Sequence, residues 1–406
     1  MLTFNYTARD SKTGQKIKAE VQADSKRSAA QLIQKLGYSP IDIDQKETKV
    51  GPLARYRNRI KTKEKIIFSR QLSTLINAGL PLVQSLRSVQ SQTKSKPLQS
   101  VITQVISDVE AGNKLSDSLA KNPRVFNTIF CSLVSSGEAS GTLDKALERL
   151  AIQQEKDAEI NSKVRGAMIY PAIVLLVMVL VVGFMLVKVL PQVQVLYDGI
   201  KGAELPLITR VLLSASNFII KFWWIVVALV VSAIAMTTKW SRTSGGKRFF
   251  DKIKMKSPGV GQLFMKLYMA RFARTGHTLV ASGVPLLQTL EITAKAIDNV
   301  YIEMSLKAAI EKVKGGKALS DSIEKDPNFL DLVPKMIHIG EQSGSLESML
   351  DKVAEYYEKE VDQQIKTIST IIEPAMMVIL GVVALVVVAA VLLPVYGLAG
   401  QSGFGG

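Results

Sequence analysis

One cysteine, Cys131, and two histidines, His277 and His338, are all the chain offers for disulfides and soft metal sites. A lone cysteine excludes an intramolecular disulfide, and in an apolar stretch it reads as packing rather than as a nucleophile. His277 and His338 have no second ligand at helical spacing, so no metal or other cofactor is expected. The phosphate-binding pattern G-x-x-x-x-G-K-[ST] is absent: "SGGKRFF" places Arg248 after Lys247 and has no suitable glycine upstream. Ser135 and Ser136 lack a base, and no residue set combines nucleophile, base and oxyanion donors, so no enzyme is expected. Aromatic residues are only 6% and do not interleave with the basic clusters as base-stacking surfaces require, so nucleic acid is not an expected partner. The start, "MLTFNYTARD", has no apolar core behind a basic end; it reads as no cleavable signal, and membrane insertion must use an internal segment.

What the chain does have is long uncharged apolar runs. Its 406 residues are 47% hydrophobic yet 21% charged, so the two classes must be segregated along the sequence. Three stretches qualify as transmembrane helices: "MIYPAIVLLVMVLVVGFMLV" from Met168, "FWWIVVALVVSAIAMTT" from Phe222, and "PAMMVILGVVALVVVAAVLL" from Pro374. Lys163 and Arg165 precede the first, and Lys239, Arg242, Lys247, Arg248, Lys252, Lys254 and Lys256 follow the second. Between them Lys201 and Arg210 are balanced by Asp198 and Glu204, and the tail after the third is uncharged. Positive residues favour the cytoplasmic side, so the N-terminus is expected inside and the C-terminus outside. The net charge of +16, including the cluster Arg55 to Lys65, then reads as attraction to an anionic leaflet of the bilayer.

The chain also repeats itself. "FSRQLSTLINAGLPLVQSL" from Phe68 matches "FARTGHTLVASGVPLLQTL" from Phe272 at an offset of 204 residues. "AGNKLSDSLAKNP" matches "GGKALSDSIEKDP" at the same offset; one deletion then shifts it to 203 and aligns "GEASGTLDKAL" from Gly137 with "GEQSGSLESML" from Gly340. Pro171 and Pro374, which open the first and third spans, fall in step. Two parallel copies must each cross outward, so the unpaired middle span is the return.

Each copy reads as helical. Leu72, Leu75, Ile76 and Gly79 share a helix face. "AGLPL" and "SGVPL" read as a stop at glycine and a start with proline early in the next helix. Ser116 and Ser320 are expected N-caps, with Leu115 and Leu319 as staple residues. G-E-x-S-G-x-L reads as a tight helix–helix connection. Its glycines allow left-handed backbone or close approach, and Ser140, Thr142, Ser343 or Ser345 can cap the helix that follows. Glu138 and Glu341 are expected near that helix start, where the dipole favours a carboxylate. The phrase is thus first a hairpin built twice; a partner-contact role for the two glutamates is the sharper alternative. The charged run "EYYEKEVD" from Glu355 reads as a solvated helix face. Residues 1–45 form a separate unit: strands at "FNYTAR" and "KIKAEVQA", a Lys-Thr-Gly turn between them, a helix capped by Asp24 or Ser25 and ending at Gly37, and a last strand at "YSPIDI".

These residues together resemble the inner-membrane platform proteins of type IV pilus and type II secretion machines (the type II secretion system F family). The N-terminal "F-x-Y-x-A" unit, both "F-x-R…L…G-[LV]-P-L" segments, both "G-E-x-S-G-x-L" segments and the three-span layout carry the likeness over nearly the whole chain. The resemblance implies a mainly α integral membrane protein with two homologous cytoplasmic helical-bundle repeats, three transmembrane helices and a small N-terminal α+β unit. The expected division is 1–45, the N-terminal unit; 46–64, a basic linker; 65–167, repeat 1; 168–190, the first span; 191–217, an external loop; 218–238, the second span; 239–371, a basic linker with repeat 2; 372–396, the third span; and 397–406, an external tail.

By the same resemblance the protein is a non-enzymatic platform at the centre of its machine. It would couple a separate hexameric cytoplasmic ATPase, for assembly or retraction, to the insertion of pilins or pseudopilins into a growing filament. Other inner-membrane assembly proteins would be partners, and the chain would form a homodimer or other homo-oligomer. Candidate partner-contact residues are Gly137, Glu138, Gly141, Gly340, Glu341 and Gly344. Gly276-His277 stands where repeat 1 has Leu72-Ser73, so the first helix of repeat 2 is expected to pack differently. A parallel-repeat transporter is the rival reading, disfavoured by uncharged span interiors.

Overall fold

The computed structural model describes residues 2–10, 16–23, 26–45, 60–192, 195 and 207–402. They fall into two units, Met1–Lys61 and Thr62–Gly406.

In the first unit, alternation sets the strands. Tyr6 and Ala8, two apart on one face of strand β1 (Leu2–Asp10), are buried with Ala23 of β2 (Lys16–Ala23). Helix α1 (Lys26–Lys35) adds Ala29 and Ile33, one turn apart, to the same small core. Strand β3 (Tyr38–Gln45) completes an antiparallel sheet of order β2-β1-β3. The three strands and the helix stand where the sequence places them; the Lys-Thr-Gly turn and the cap at Asp24 or Ser25 lie outside the described residues.

In the second unit, repeat 1 consists of α2 (Thr62–Asn77), α3 (Leu82–Gln92), α4 (Lys96–Glu110), α5 (Leu115–Ala120), α6 (Thr128–Ser140) and α7 (Leu143–Phe184). A π-helical turn, Met185–Val189, follows. Then come α8 (Leu207–Trp240) and α9 (Ser244–Lys256). Repeat 2 consists of α10 (Gly261–Ala281), α11 (Leu286–Ala296), α12 (Val300–Lys314), α13 (Leu319–Ile323), α14 (Leu332–Ser343) and α15 (Leu346–Ser402).

Each repeat buries the same positions. Phe68, Leu86, Leu98, Leu115 and Leu147 in repeat 1 answer to Phe272, Leu290, Ile302, Leu319 and Leu350 in repeat 2. Phe68 packs on Phe126 at 5.6 Å between ring centroids, and its counterpart Phe272 packs edge-on against Phe329 at 5.4 Å. The exception is Leu72, fully buried, whose counterpart is Gly276. A Cβ at Gly276 would stand 3.4 Å from a methyl of Leu350, so a side chain longer than a methyl would press on Leu350. Repeat 1 buries both Leu72 and Leu147, whereas repeat 2 has Gly276 beside the buried Leu350, so the expected difference in packing is one leucine fewer in repeat 2. Gly276→Leu is expected to destabilise the chain by about 1–3 kcal/mol through overpacking, read as a lowered unfolding midpoint.

The corners between α2 and α3, and between α10 and α11, share one geometry. Gly79 and Gly283 have φ of 83° and 79°, and Pro81 and Pro285 have φ/ψ of −55°/143° and −55°/144°. The prolines occupy the N-cap position, one residue ahead of the helix rather than inside it.

Among the described residues, three helices are long and apolar enough to cross a membrane. Two of them, α7 with 42 residues and α15 with 57, begin in the polar repeats and run on into the apolar stretches without a break. At 1.5 Å per residue they are about 63 and about 85 Å long. Segment 207–217, expected as part of an external loop, is instead the start of α8. Its Leu213 is buried with Leu190 and Ala390, and Thr209 donates to the Ala390 carbonyl at 3.2 Å. Ser216 donates to the Leu186 carbonyl. Helix α8 then kinks at Phe222 (φ −120°, ψ 26°), and every residue from Val227 to Trp240 is exposed, as a lipid-facing span requires.

Candidate functional site: the paired hairpins and the seam between repeats

The G-E-x-S-G-x-L phrase resolves into four separate physical demands. Gly141 and Gly344 end α6 and α14 in left-handed conformation, with φ of 71° and 68°. Gly137 and Gly340 are buried where the next helix crosses. A Cβ there would stand 2.6 Å from the Ala146 Cβ in one case and 2.9 Å from the Leu346 Cα in the other. Leu143 and Leu346 are the first residues of α7 and α15.

The glutamates do something else. Each sits late in its helix and reaches back to the N-terminus of the short helix before it. Glu138 accepts from the Leu115 N–H at 2.5 Å, the Ser116 N–H at 3.0 Å and the Ser116 hydroxyl at 2.5 Å. Glu341 accepts from the Leu319 N–H at 2.6 Å, the Ser320 N–H at 3.1 Å and the Ser320 hydroxyl at 2.5 Å. Two sequence expectations are corrected here. The dipole served by each glutamate is that of α5 or α13, not of the helix that follows the motif. Ser116 and Ser320 are not N-caps: Lys114 and Ala318 hold that position, and the serines lie inside the first turn as donors to the glutamates. At the hairpin tips, the Ser140 and Thr142 hydroxyls pair with each other at 2.7 Å, as do Ser343 and Ser345 at 2.6 Å. Thr142 occupies the N-cap position of α7 but makes no side-chain cap bond.

Of the six candidate residues, Gly141 and Gly344 lie on exposed tips, Gly137 and Gly340 are buried, and Glu138 and Glu341 are half-buried beneath them. Cys131 is half-buried on α6, and burial pushes its thiol up from the ordinary value. Among the described residues no group of three or more His, Cys, Asp or Glu could hold a metal ion.

The run from Glu355 is not a uniformly solvated face. Glu358 takes a two-pronged pair with Arg274 (2.7 and 3.0 Å), Glu360 pairs with Lys266 at 2.7 Å and Asp362 with Lys163 at 2.6 Å, while Tyr357 is buried. Arg274 also reaches Asp351 at 2.7 Å. Burial opposes its charge, but the hydrogen bonds and charges of Glu358 and Asp351 outweigh that and hold the guanidinium above its ordinary value. Repeat 1 has the same pair in Arg70 and Glu155, more exposed; the hydrogen bond from Arg70 holds Glu155 below the ordinary carboxylate value.

The repeats meet along a polar seam. On α7 its residues recur every fourth position: Arg149, Gln153, Asp157 and Asn161. Gln153 donates to the Thr275 hydroxyl at 3.3 Å and accepts from the Thr278 hydroxyl at 2.9 Å; Asn161 accepts from Arg271 at 3.2 Å. Arg149 donates to the Ala281 carbonyl, and Ser136 of α6 to the Ser282 carbonyl at 2.5 Å. The seam was not singled out from sequence, though a hydrogen-bonding stripe at intervals of four is a visible sign of a shared helix face.

Desolvation in the seam pushes the Asp157 carboxyl above the ordinary carboxylate value, against the charges of Arg271 and Arg274 and a hydrogen bond from Gln153. A raised folded-state value means that Asp157 contributes stability below its unfolded value, about 3.9, and that this is lost as pH rises through the folded value. Asp157→Asn is therefore expected to raise the thermal midpoint at neutral pH and to lose that advantage below about pH 4, as thermal unfolding at the two pH values would show.

The comparisons with known proteins agree with this architecture. The family model for type II secretion system protein F matches twice, at residues 68–191 and 272–394, and the model for its N-terminal domain matches residues 1–44. A type IV pilus assembly protein PilC of Thermus thermophilus is 36% identical over 98% of this chain and 99% of its own length. A PilC of Myxococcus xanthus is 34% identical over 96% of this chain and 93% of its own. A type II secretion system protein F of Aeromonas hydrophila is 32% identical over 92% and 97%. With both repeats, the N-terminal unit and nearly the full length matched, the chain belongs to the type II secretion system protein F and type IV pilus PilC family of membrane platform proteins.

Proposed function

We propose that this chain is the inner-membrane platform of a type IV pilus, coupling a cytoplasmic hexameric ATPase to the insertion of pilins into a growing filament. The family is non-enzymatic, so the energy must come from a partner. The observation that carries the coupling is the continuity of α7 and α15 from the polar repeats into the spans. A torque or tilt imposed on either repeat reaches the bilayer through an unbroken helix, with no loop to absorb it. The ATPase meets the repeats on the cytoplasmic side, which the flanking lysines and arginines favour, with the tail outside. Its contact surface includes the exposed tips at Gly141 and Gly344, shaped by Gly137, Glu138, Gly340 and Glu341. Pilins meet the spans, where a wholly apolar cavity of about 490 Å³ lies between Val182 and Gly183 of α7, Leu212 of α8 and Val383 of α15.

Use in secretion is the second reading, favoured by the identity to a protein F of a secretion system. A strain lacking the gene, with and without a plasmid copy, separates them. Loss of sheared surface filaments while pilin persists in the membrane, restored by the plasmid, supports the pilus. Unchanged filaments with loss of an exported protein assign the chain to secretion. A Gly-Gly insertion between Arg165 and Gly166 tests the coupling: the chain should still enter the membrane, and filaments should disappear.

A further inference from the structure

The seam between the two repeats uses one side of each. Repeat 1 presents a groove between α5 and α6, of about 360 Å³, lined by Ser116, Thr128, Cys131 and Ser132; the corner of repeat 2, Val284, Pro285 and Gln288, closes it. Because the repeats have the same fold, repeat 2 carries the same groove between α13 and α14, of about 370 Å³, lined at the matching positions by Ser320, Asp331, Pro334 and Lys335. Among the described residues, none from outside repeat 2 lines that second groove. Likewise repeat 1 carries the same corner, Gly79 to Gln84, with matching dihedrals; Pro81 and Pro285 are both exposed, but Leu80 is only half-buried where Val284 is buried. One groove and one corner are thus used within the chain, and one of each is left over.

The leftover faces carry the marks of a covered surface. Ile339 stands where Ser136 donates across the seam, Tyr356 where Gln153 sits, and Ile67 where Arg271 sits. These three are 49%, 47% and 45% exposed, large apolar side chains at the positions where the seam partners lie in the other repeat. Scattered single apolar residues on a surface need no explanation, but these coincide with a contact map that the molecule itself supplies. Charge follows the same logic. The free groove has Glu324 and Asp331 where the filled one has Ala120 and Thr128. The free corner is followed by Arg87, which pairs with Glu110 of its own repeat, where the seated one is followed by Glu291.

We infer that chains associate head to tail. The α13–α14 groove of one copy receives the Gly79–Gln84 corner of the next, and Ile339 and Tyr356 pack on the α2 face that bears Ile67. The occupant is a second copy because the same chain already shows both halves of the joint. Both repeats lead into their spans at their C-terminal ends, so a second copy set upright in the same bilayer presents the same two faces. The contact is heterologous, joining two different patches, and it builds a closed ring or an open array according to the rotation per step.

Cysteine pairs test this in membranes, in a Cys131→Ser background. The counterparts of Ser136 and Ser282 are Ile339 and Ala78. A chain carrying both Ile339→Cys and Ala78→Cys should give a ladder of disulfide-linked multimers under mild oxidation. The two single variants, coexpressed, should give dimers that contain one of each, and each single variant alone should stay monomeric. Adding Tyr356→Lys should remove the ladder. Monomers from the double variant, in membranes where Ser136→Cys with Ser282→Cys closes within the chain, would overturn the inference. So would Ile339→Cys crosslinking to itself, which marks an isologous dimer. The readout needs only membrane-inserted chain, so it stands or fails separately from the pilus assignment.

Discussion

Arg274→Met is expected to lower the unfolding free energy by about 3 kcal/mol or more, the cost of breaking a buried ion pair from one side. The side chain is 12% exposed and Glu358 is 15% exposed, so the substitution leaves a carboxylate with little water and no countercharge. Asp351 loses its partner as well. The matching substitution in repeat 1, Arg70→Met, should cost no more than about 1 kcal/mol, because an exposed pair is hydrated and screened. There the side chains are 39% and 41% exposed, with the same two-pronged geometry. Hydrogen exchange along α10 and the first turns of α15 would report the difference locally. Equal costs at Arg274 and Arg70 would mean that burial is not what separates the two pairs.

Glu341→Ala is expected to cost about 2–3 kcal/mol, because three donors lose a charged acceptor at once and two of them are backbone amides at a helix start. Glu341→Gln keeps one acceptor oxygen and should cost about 1 kcal/mol. Glu138→Ala should behave alike, since its three bonds match those of Glu341. The measurement is the unfolding midpoint together with exchange protection of the Leu319 and Ser320 amides. A Glu341→Ala chain with unchanged stability and amide protection, but without filament assembly, would move the glutamate from a cap to a partner contact.

Much of the fold was legible because it rests on local signals. Membrane spans follow from uninterrupted apolar length, and the duplication follows from two phrases at matching spacing. Strands of the N-terminal unit follow from alternation. The glycines of G-E-x-S-G-x-L were also readable, since a left-handed turn and a close crossing both exclude a side chain whatever surrounds them.

What the tertiary structure decided was direction and partnership. A carboxylate near one helix start can equally serve another, since all backbone amides look alike in sequence; only packing brings Glu138 to amides 22 and 23 residues upstream. The run "EYYEKEVD" reads as solvated because charges alternate along it, yet the rotation of α15 turns Glu358 toward Arg274 and buries Tyr357. The seam required two copies of one fold to be set side by side. Sequence alone determined that there are two copies; which face of each meets the other depends on shape and desolvation across residues more than a hundred positions apart.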